Sequence, residues 1–236
     1  MKIIQIIIYG LIISILNGGD ETVEEILLKT YHRLDSVNHQ FTVHFEQTGK
    51  KKKNNNYRVF VNWPGDGEIL RETRVEPILH DKKKPSSFWE HRFQDGRKSK
   101  KWITLPVTGK LKDVSKKKSK KKFSLEDLEF TEKDIKNNDH IILSHEKLNN
   151  YSVYVIESVE KGKSGNVKES KKLWIDKENY FIQKVEFYTK SGRLYRSAEC
   201  KDIQFVEGIA FPSQIFIEDL KSKSQMHLQL ADIRIN

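Results

Sequence analysis

The sequence predicts a mainly β protein, a strongly curved antiparallel sheet of about eleven strands with an amphipathic helix covering its concave side. Three observations lead there. From Phe41 to the end, apolar residues recur at period 2 in short runs. The runs are separated by turn chemistry alone, with no helix between successive C-terminal strands, and parallel strands would need such crossovers. One earlier stretch, before Phe41, has the 3.6-residue period of a helix. Strand twist accumulates across a large sheet and curls it. The helix's apolar stripe then has an obvious place to go.

The first 19 residues, MKIIQIIIYGLIISILNGG, stand apart. One lysine precedes an apolar run from Ile3 to Leu16, small residues follow, and Asp20-Glu21 comes next. This is the layout of a cleaved secretory signal; a retained anchor is the alternative. The run is shorter than the ~20 apolar residues a membrane span needs. The expected organisation is a signal peptide over 1–19 and a single domain over 20–236.

Thr22 can cap the next helix, with Glu25 reaching back to complete a capping box. Val23, Ile26, Leu27, Tyr31 and Leu34 fall on one face, with Lys29, His32 and Arg33 off it, over about 15 residues. Then Phe41, Val43 and Phe45 alternate with polar residues, Gly49 to Asn56 turns, and Tyr57, Val59, Val61 and Trp63 alternate on the return. Ile69 to Val75, Ser87 to Gln94 and Lys101 to Leu105 continue as strands, and Lys110 to Val114 is a weak one. Ser124 to Leu128 reads as a short capped helix, and Thr131 to Asn137 as a further helical turn. Strands then resume at Ile141–His145, Tyr151–Val159, Lys172–Asp176, Tyr180–Thr189, Leu194–Phe205, Ile209–Leu220 and Met226–Ile235. In the last of these, Met226, Leu228 and Leu230 share a phase that Ile233 and Ile235 break, which predicts a bulge near Ala231-Asp232.

Lys and Arg total 43 against 33 Asp and Glu, a formal charge of +10. Much of the excess lies in runs at Lys50–Lys53, Lys82–Lys84, Lys116–Lys118 and Lys120–Lys122. Solvated loop tips explain such runs; behind an export signal, an anionic membrane surface is the partner they suit, and nucleic acid is not expected. The single cysteine, Cys200, has no internal disulfide partner and reads as a small core residue. The eight histidines are scattered, with no His-x-x-x-His pair, and neither a Gly-x-Ser-x-Gly elbow nor a phosphate-binding glycine loop occurs. No catalytic group, cofactor or metal is expected, and the protein reads as a non-enzyme and a monomer. The strands offer more than twenty large apolar residues and the helix about five. Either the opposite wall of the sheet fills the remainder, or an accessible cavity is left for a ligand.

The segment FWEHRFQDGRKSKKWITLP (Phe88 to Pro106), the basic stretch after it and FSLEDLEF (Phe123 to Phe130) place Trp102, Leu105, Pro106, Phe123, Asp127 and Leu128 in a recognisable order. Trp174-Ile175-Asp176, Val185-Glu186-Phe187-Tyr188, Gly192, Asp202-Ile203, Gly208, Pro212 and Asp232-Ile233 continue it. Together, over about residues 40 to 236, the chain resembles the outer-membrane lipoprotein-sorting family, the LolA-like proteins. It departs from that family at Lys116 to Lys122, where a Gly/Ser-rich element commonly stands.

The resemblance implies a half-open barrel whose mouth is filled by helices, and a periplasmic carrier that shields lipid or lipoprotein acyl chains on their way to the outer membrane. An inner-membrane transporter and an outer-membrane acceptor would be its partners. The residues expected to face the groove are Phe41, Val43, Phe45, Val59, Val61, Trp63, Phe187 and Leu228, with Ile26, Leu27, Tyr31 and Leu34 as the lid. On this reading Phe187→Glu abolishes loading while the sheet stays folded. A sensor or scaffold domain of the same fold, binding a protein partner, is the alternative.

Overall fold

The computed structural model describes residues 21–49, 52–65, 67–78, 86–105, 108–116, 132–161 and 167–236. The expected signal segment, the short helix over 124–128 and most of the lysine runs lie outside the described residues.

Thr22 caps helix α1 (Val23–His32): its hydroxyl accepts from the Glu25 amide, and the Glu25 carboxylate accepts from the Thr22 amide at 2.8 Å. The expected capping box is present. The helix has 10 residues rather than about 15. A turn over 33–36 ends it, with Ser36 in the left-handed region (φ 63°). Leu34, expected on the helix face, therefore sits beyond the helix. A second helix, α2 (Glu132–Asn137), occupies the predicted helical turn.

Among the described residues thirteen strands follow one another in a single antiparallel sheet, one at each of the runs read from the sequence, so the total is thirteen rather than about eleven. They are β1 (His39–Thr48), β2 (Lys53–Asn62), β3 (Ile69–Ile78), β4 (Phe88–Phe93), β5 (Lys100–Thr104), β6 (Leu111–Asp113), β7 (Asn138–Leu148), β8 (Tyr151–Lys161), β9 (Val167–Asp176), β10 (Ile182–Thr189), β11 (Leu194–Val206), β12 (Ile209–Asp219) and β13 (Ser224–Ile235). The two shortest, β5 and β6, pair with each other at the sheet's end, so even weak runs find a partner. The spatial order is β6-β5-β4-β3-β2-β1-β13-β12-β11-β10-β9-β8-β7. Each neighbour pair is consecutive in sequence except β1 with β13. The meander's two ends are thus joined, and the curved sheet is left open between β6 and β7.

Tight turns set the hairpins. Asn149 and Asn150 (φ 49° and 71°) join β7 to β8, and Glu207 and Gly208 (φ 49° and 80°) join β11 to β12. The predicted bulge is present: Thr42 pairs Ala231 and Gln40 pairs Arg234, so Asp232 and Ile233 oppose Phe41 alone. Asp232 takes φ 53°, and its carboxylate accepts from the Thr42 hydroxyl at 3.1 Å.

The core lies between the concave face and α1. Ile26 and Leu27 are completely buried, against Val43, Val59, Val61, Ile156, Leu173, Ile175, Val185, Phe187, Ile217 and Leu228. Fully burying each of those two helix side chains contributes roughly 1.5–3 kcal/mol.

Candidate functional site

Helix α1 covers most of the concave face but not all of it. At its C-terminal end a cavity of about 280 Å³ remains. Thr30, Tyr31, Arg33, Leu34 and Asp35 form the helix side. Trp63, Leu70 and Arg71 come from the β2–β3 region, and Arg92 from β4. The far wall is Phe181 to Val185, Ala198, Cys200, Pro212 and Ile215. The walls are mainly apolar, and several cationic groups are set into them.

Of the twelve residues expected at the groove, only Tyr31, Leu34 and Trp63 line this cavity. Ile26, Leu27, Val43, Val59, Val61, Phe187 and Leu228 belong to the packed core, and Phe41 and Phe45 pack against it. The eight from the strands and the end of β2 lie in the core or pack against it, while the open space lies toward one end. Phe187 is 4% exposed and its ring centroid is 6.2 Å from that of Tyr195. A glutamate there would bury an unpaired charge, so Phe187→Glu would report on folding as well as on loading.

The alternation could have revealed Arg71, which is in phase with Thr73 and Val75 on β3, although a bulge puts Ile69 out of that phase. Arg92 is its cross-strand partner, so the two share a face. Arg33 could not be found that way: it reads as lying off the apolar face of a longer helix. Arg33 is the helix C-cap and keeps helical dihedrals (φ −54°, ψ −31°), so it follows the buried Ile26 and Thr30 on the same face. Its guanidinium donates to the Ala210 carbonyl at 2.7 Å and lies 4.9 Å from the centroid of the Phe181 ring. Burial pulls its pKa down to about 10.

Gln183 is 1% exposed, and its amide orientation is fixed by chemistry. Its nitrogen donates to the Asp176 carboxylate at 3.0 Å, which leaves Oε1 buried with no protein donor among the described residues. The buried Trp63 Nε1 likewise has no acceptor there. Burial pushes the Cys200 thiol up to about 12, so the cysteine on this wall is held neutral. Among the described residues no cluster of three or more His, Cys, Asp and Glu side chains could hold a metal ion.

A carboxylate network ties the start of α1 to the sheet. Glu21 accepts from Tyr180 at 2.7 Å and from Tyr154 at 3.0 Å, and it pairs with Lys29. The hydrogen bonds from Lys29 and then Tyr180 hold the Glu21 carboxyl below its usual range.

A family model described as "uncharacterized protein" matches residues 81–236. No curated protein matches the chain. Among solved structures, a DUF1329 family protein from Desulfovibrio piger superposes with a TM-score of 0.72 at 13% identity, covering 90% of this chain and 91% of its own. An outer membrane lipoprotein-sorting protein domain from Vibrio parahaemolyticus gives 0.69 at 19% identity, covering 90% and 92%. A LolA superfamily protein from Nitrosomonas europaea gives 0.60 at 20% identity, covering 92% and 94%. The fold is thus LolA-like, as the sequence motifs suggested.

Proposed function

We propose that this chain, which belongs to the family described as uncharacterized proteins and has a LolA-like fold, is a non-enzymatic carrier that binds acyl chains of lipids or lipoproteins against its concave face. In this reading residues 1–19 are a cleaved export signal, residues 20–236 form one lipoprotein-sorting domain, and the protein works as a monomer in the periplasm, delivering cargo toward the outer membrane. An inner-membrane donor and an outer-membrane acceptor would flank it, and the lysine runs would meet anionic headgroups during transfer.

The observation that carries the reading is the seating of α1. An apolar helix stripe, not a second sheet, covers the concave face, and it leaves an apolar-walled cavity at one end. At about 280 Å³ the cavity lies just below the roughly 300–1,000 Å³ of ordinary ligand pockets, so a long chain enters only as the helix gives way. Exposing Ile26 and Leu27 would cost roughly 3–6 kcal/mol, and each buried methylene returns ~0.8 kcal/mol. About four to eight methylenes therefore offset the displaced pair, and a longer chain binds with a surplus.

Native mass spectrometry with lipid extraction, on the protein purified from the periplasm, tests this. Bound phospholipid or acylated peptide is expected, and it should fall in a Trp63→Asp variant at the cavity wall that keeps its far-ultraviolet spectrum. A folded protein that carries no lipid and takes none from vesicles would refute the carrier and leave the scaffold domain with a protein partner.

A further inference from the structure

The cavity is apolar enough for a chain but carries the wrong groups for a chain alone. Arg33, Arg71, Arg92 and Lys184 line it, and Asp35 is the one acidic residue among the lining side chains. Asp35 is engaged with His32 Nδ1 at 2.6 Å, and Lys184 with Glu186 at 2.7 Å. Arg92 also lies 3.9 Å from Glu90, which in turn pairs with Lys101 at 3.3 Å. For Arg33 the described residues supply a carbonyl and an aromatic face but no carboxylate. A partly buried cation without a counter-charge bears a desolvation cost, and an anion arriving at this wall would relieve it. The Tyr31 phenol beside the guanidinium groups has a raised pKa, from burial first, with Arg92 and Arg71 pulling it down.

Two further unpartnered groups select within anions. Trp63 Nε1 is a donor that lacks an acceptor, and Gln183 Oε1 is an acceptor that lacks a donor. The Asp176 carboxylate holds the Gln183 amide so that only its oxygen is left for another partner. A ligand matched to this wall brings oxyanion oxygens for the arginines and tryptophan, and a hydroxyl for the glutamine.

We infer that the cavity at the C-terminal end of α1 seats the headgroup of an anionic, hydroxyl-bearing lipid, of which a phosphoglycerol lipid is the simplest, with Arg33 and Arg71 receiving the phosphate and Gln183 the hydroxyl. The inference rests on the carrier reading and names its substrate class: the acyl chains run under α1 while the headgroup stays at the cavity. Charge-assisted hydrogen bonds to the phosphate hold the headgroup, and selectivity comes from its net negative charge beside the arginines and from its hydroxyl.

The full-length mature protein would be incubated separately with vesicles of dioleoylphosphatidylglycerol and of dioleoylphosphatidylcholine, and the bound lipid counted by native mass spectrometry. Phosphatidylglycerol is expected to load on the order of tenfold better, as one charge-assisted contact implies. That preference should shrink in Arg33→Gln and separately in Arg71→Gln, with loading of phosphatidylcholine, whose choline cation offsets its phosphate beside these arginines, falling less than loading of phosphatidylglycerol. Arg71→Gln, on a strand rather than at the helix end, keeps the test open if Arg33→Gln does not fold. Equal loading of both lipids by the native protein would overturn the headgroup site and leave the acyl-chain carrier standing. No loading of either would overturn the carrier reading and this inference with it. If inorganic phosphate alone displaces phosphatidylglycerol and raises the melting temperature as much as the lipid does, a free oxyanion is the ligand and the inference fails.

Discussion

Single side chains on this sheet have roles that depend on charge as much as on size. Arg196 donates to the Asp219 carboxylate at 2.6 Å, with both side chains largely buried (12% and 8% exposed). Burial pushes the Asp219 carboxyl up, but bonds from Arg196 and from the Ser222 amide more than compensate, and the net displacement is downward. Asp219→Asn takes the carboxylate away from a largely buried arginine, so stability should fall by about 3 kcal/mol in urea unfolding. His39 is the opposite case. It is 5% exposed, with Nδ1 at 2.8 Å from the Val37 carbonyl, and burial, reinforced by Arg71 and Arg33, lowers its pKa. With the folded pKa depressed, the unfolded chain takes up the proton first as pH falls. The stability is therefore complete above about pH 6.5 and declines below it. His44 has a raised pKa and contributes the opposite slope, so the test is a difference: His39→Leu should lose less stability than the native protein between about pH 7 and pH 5. At this scale the sequence is partly legible. The Thr22–Glu25 capping box and the bulge at Asp232 follow from local spacing and phase. The inward position of Arg33 does not: the stripe read from the sequence runs through Tyr31 and Leu34, while the buried face runs through Ile26, Thr30 and on to Arg33.

As an element, α1 is a short helix held by packing at its middle and by hydrogen bonds at its start. Ten residues are marginal as an isolated helix, so its stability comes from the sheet beneath it. The Glu21 carboxylate, gripped by Tyr154, Tyr180 and Lys29, is the tether nearest its N-terminus. If the helix must lift to admit a chain, weakening this tether should help. Removing both hydroxyls in a Tyr154→Phe/Tyr180→Phe variant is expected to speed lipid uptake roughly fivefold, the effect of ~1 kcal/mol at a half-exposed site. Faster hydrogen exchange in α1 should accompany it, with the strands unchanged. Uptake at the native rate in a variant whose α1 exchanges faster would separate the helix from the entry path. Acid acts in the same direction: with the Glu21 pKa lowered, the tether is intact above the usual carboxylate range and is lost as pH falls through the depressed value.

At the scale of the molecule, an open thirteen-stranded sheet has two edges, and they are not equally protected. The β6 edge is three residues long, whereas β7 runs for 11 and exposes Ile141 (57%) and Leu143 (45%). Among the described strands β7 pairs only with β8, and a long apolar edge is a template for association. Ile141→Lys should reduce light scattering on heating while leaving the unfolding midpoint within about 0.5 kcal/mol, as an exposed substitution does. An unchanged scattering onset would show that the edge is covered.

What the sequence by itself determined is local or periodic: strand faces, turn positions, the helix cap and the bulge. These rest on interactions between residues a few positions apart, which spacing encodes. The tertiary structure alone decided three things. It joined β1 to β13, so that the meander opens between β6 and β7 rather than between its ends. It ended α1 at His32, so that Leu34 lies beyond the helix. It also left the cavity at one end of the concave face, next to Trp63 and Gln183 instead of under Phe187. Each depends on which distant segments meet and how completely their side chains fill the space between them, and no single segment carries that information.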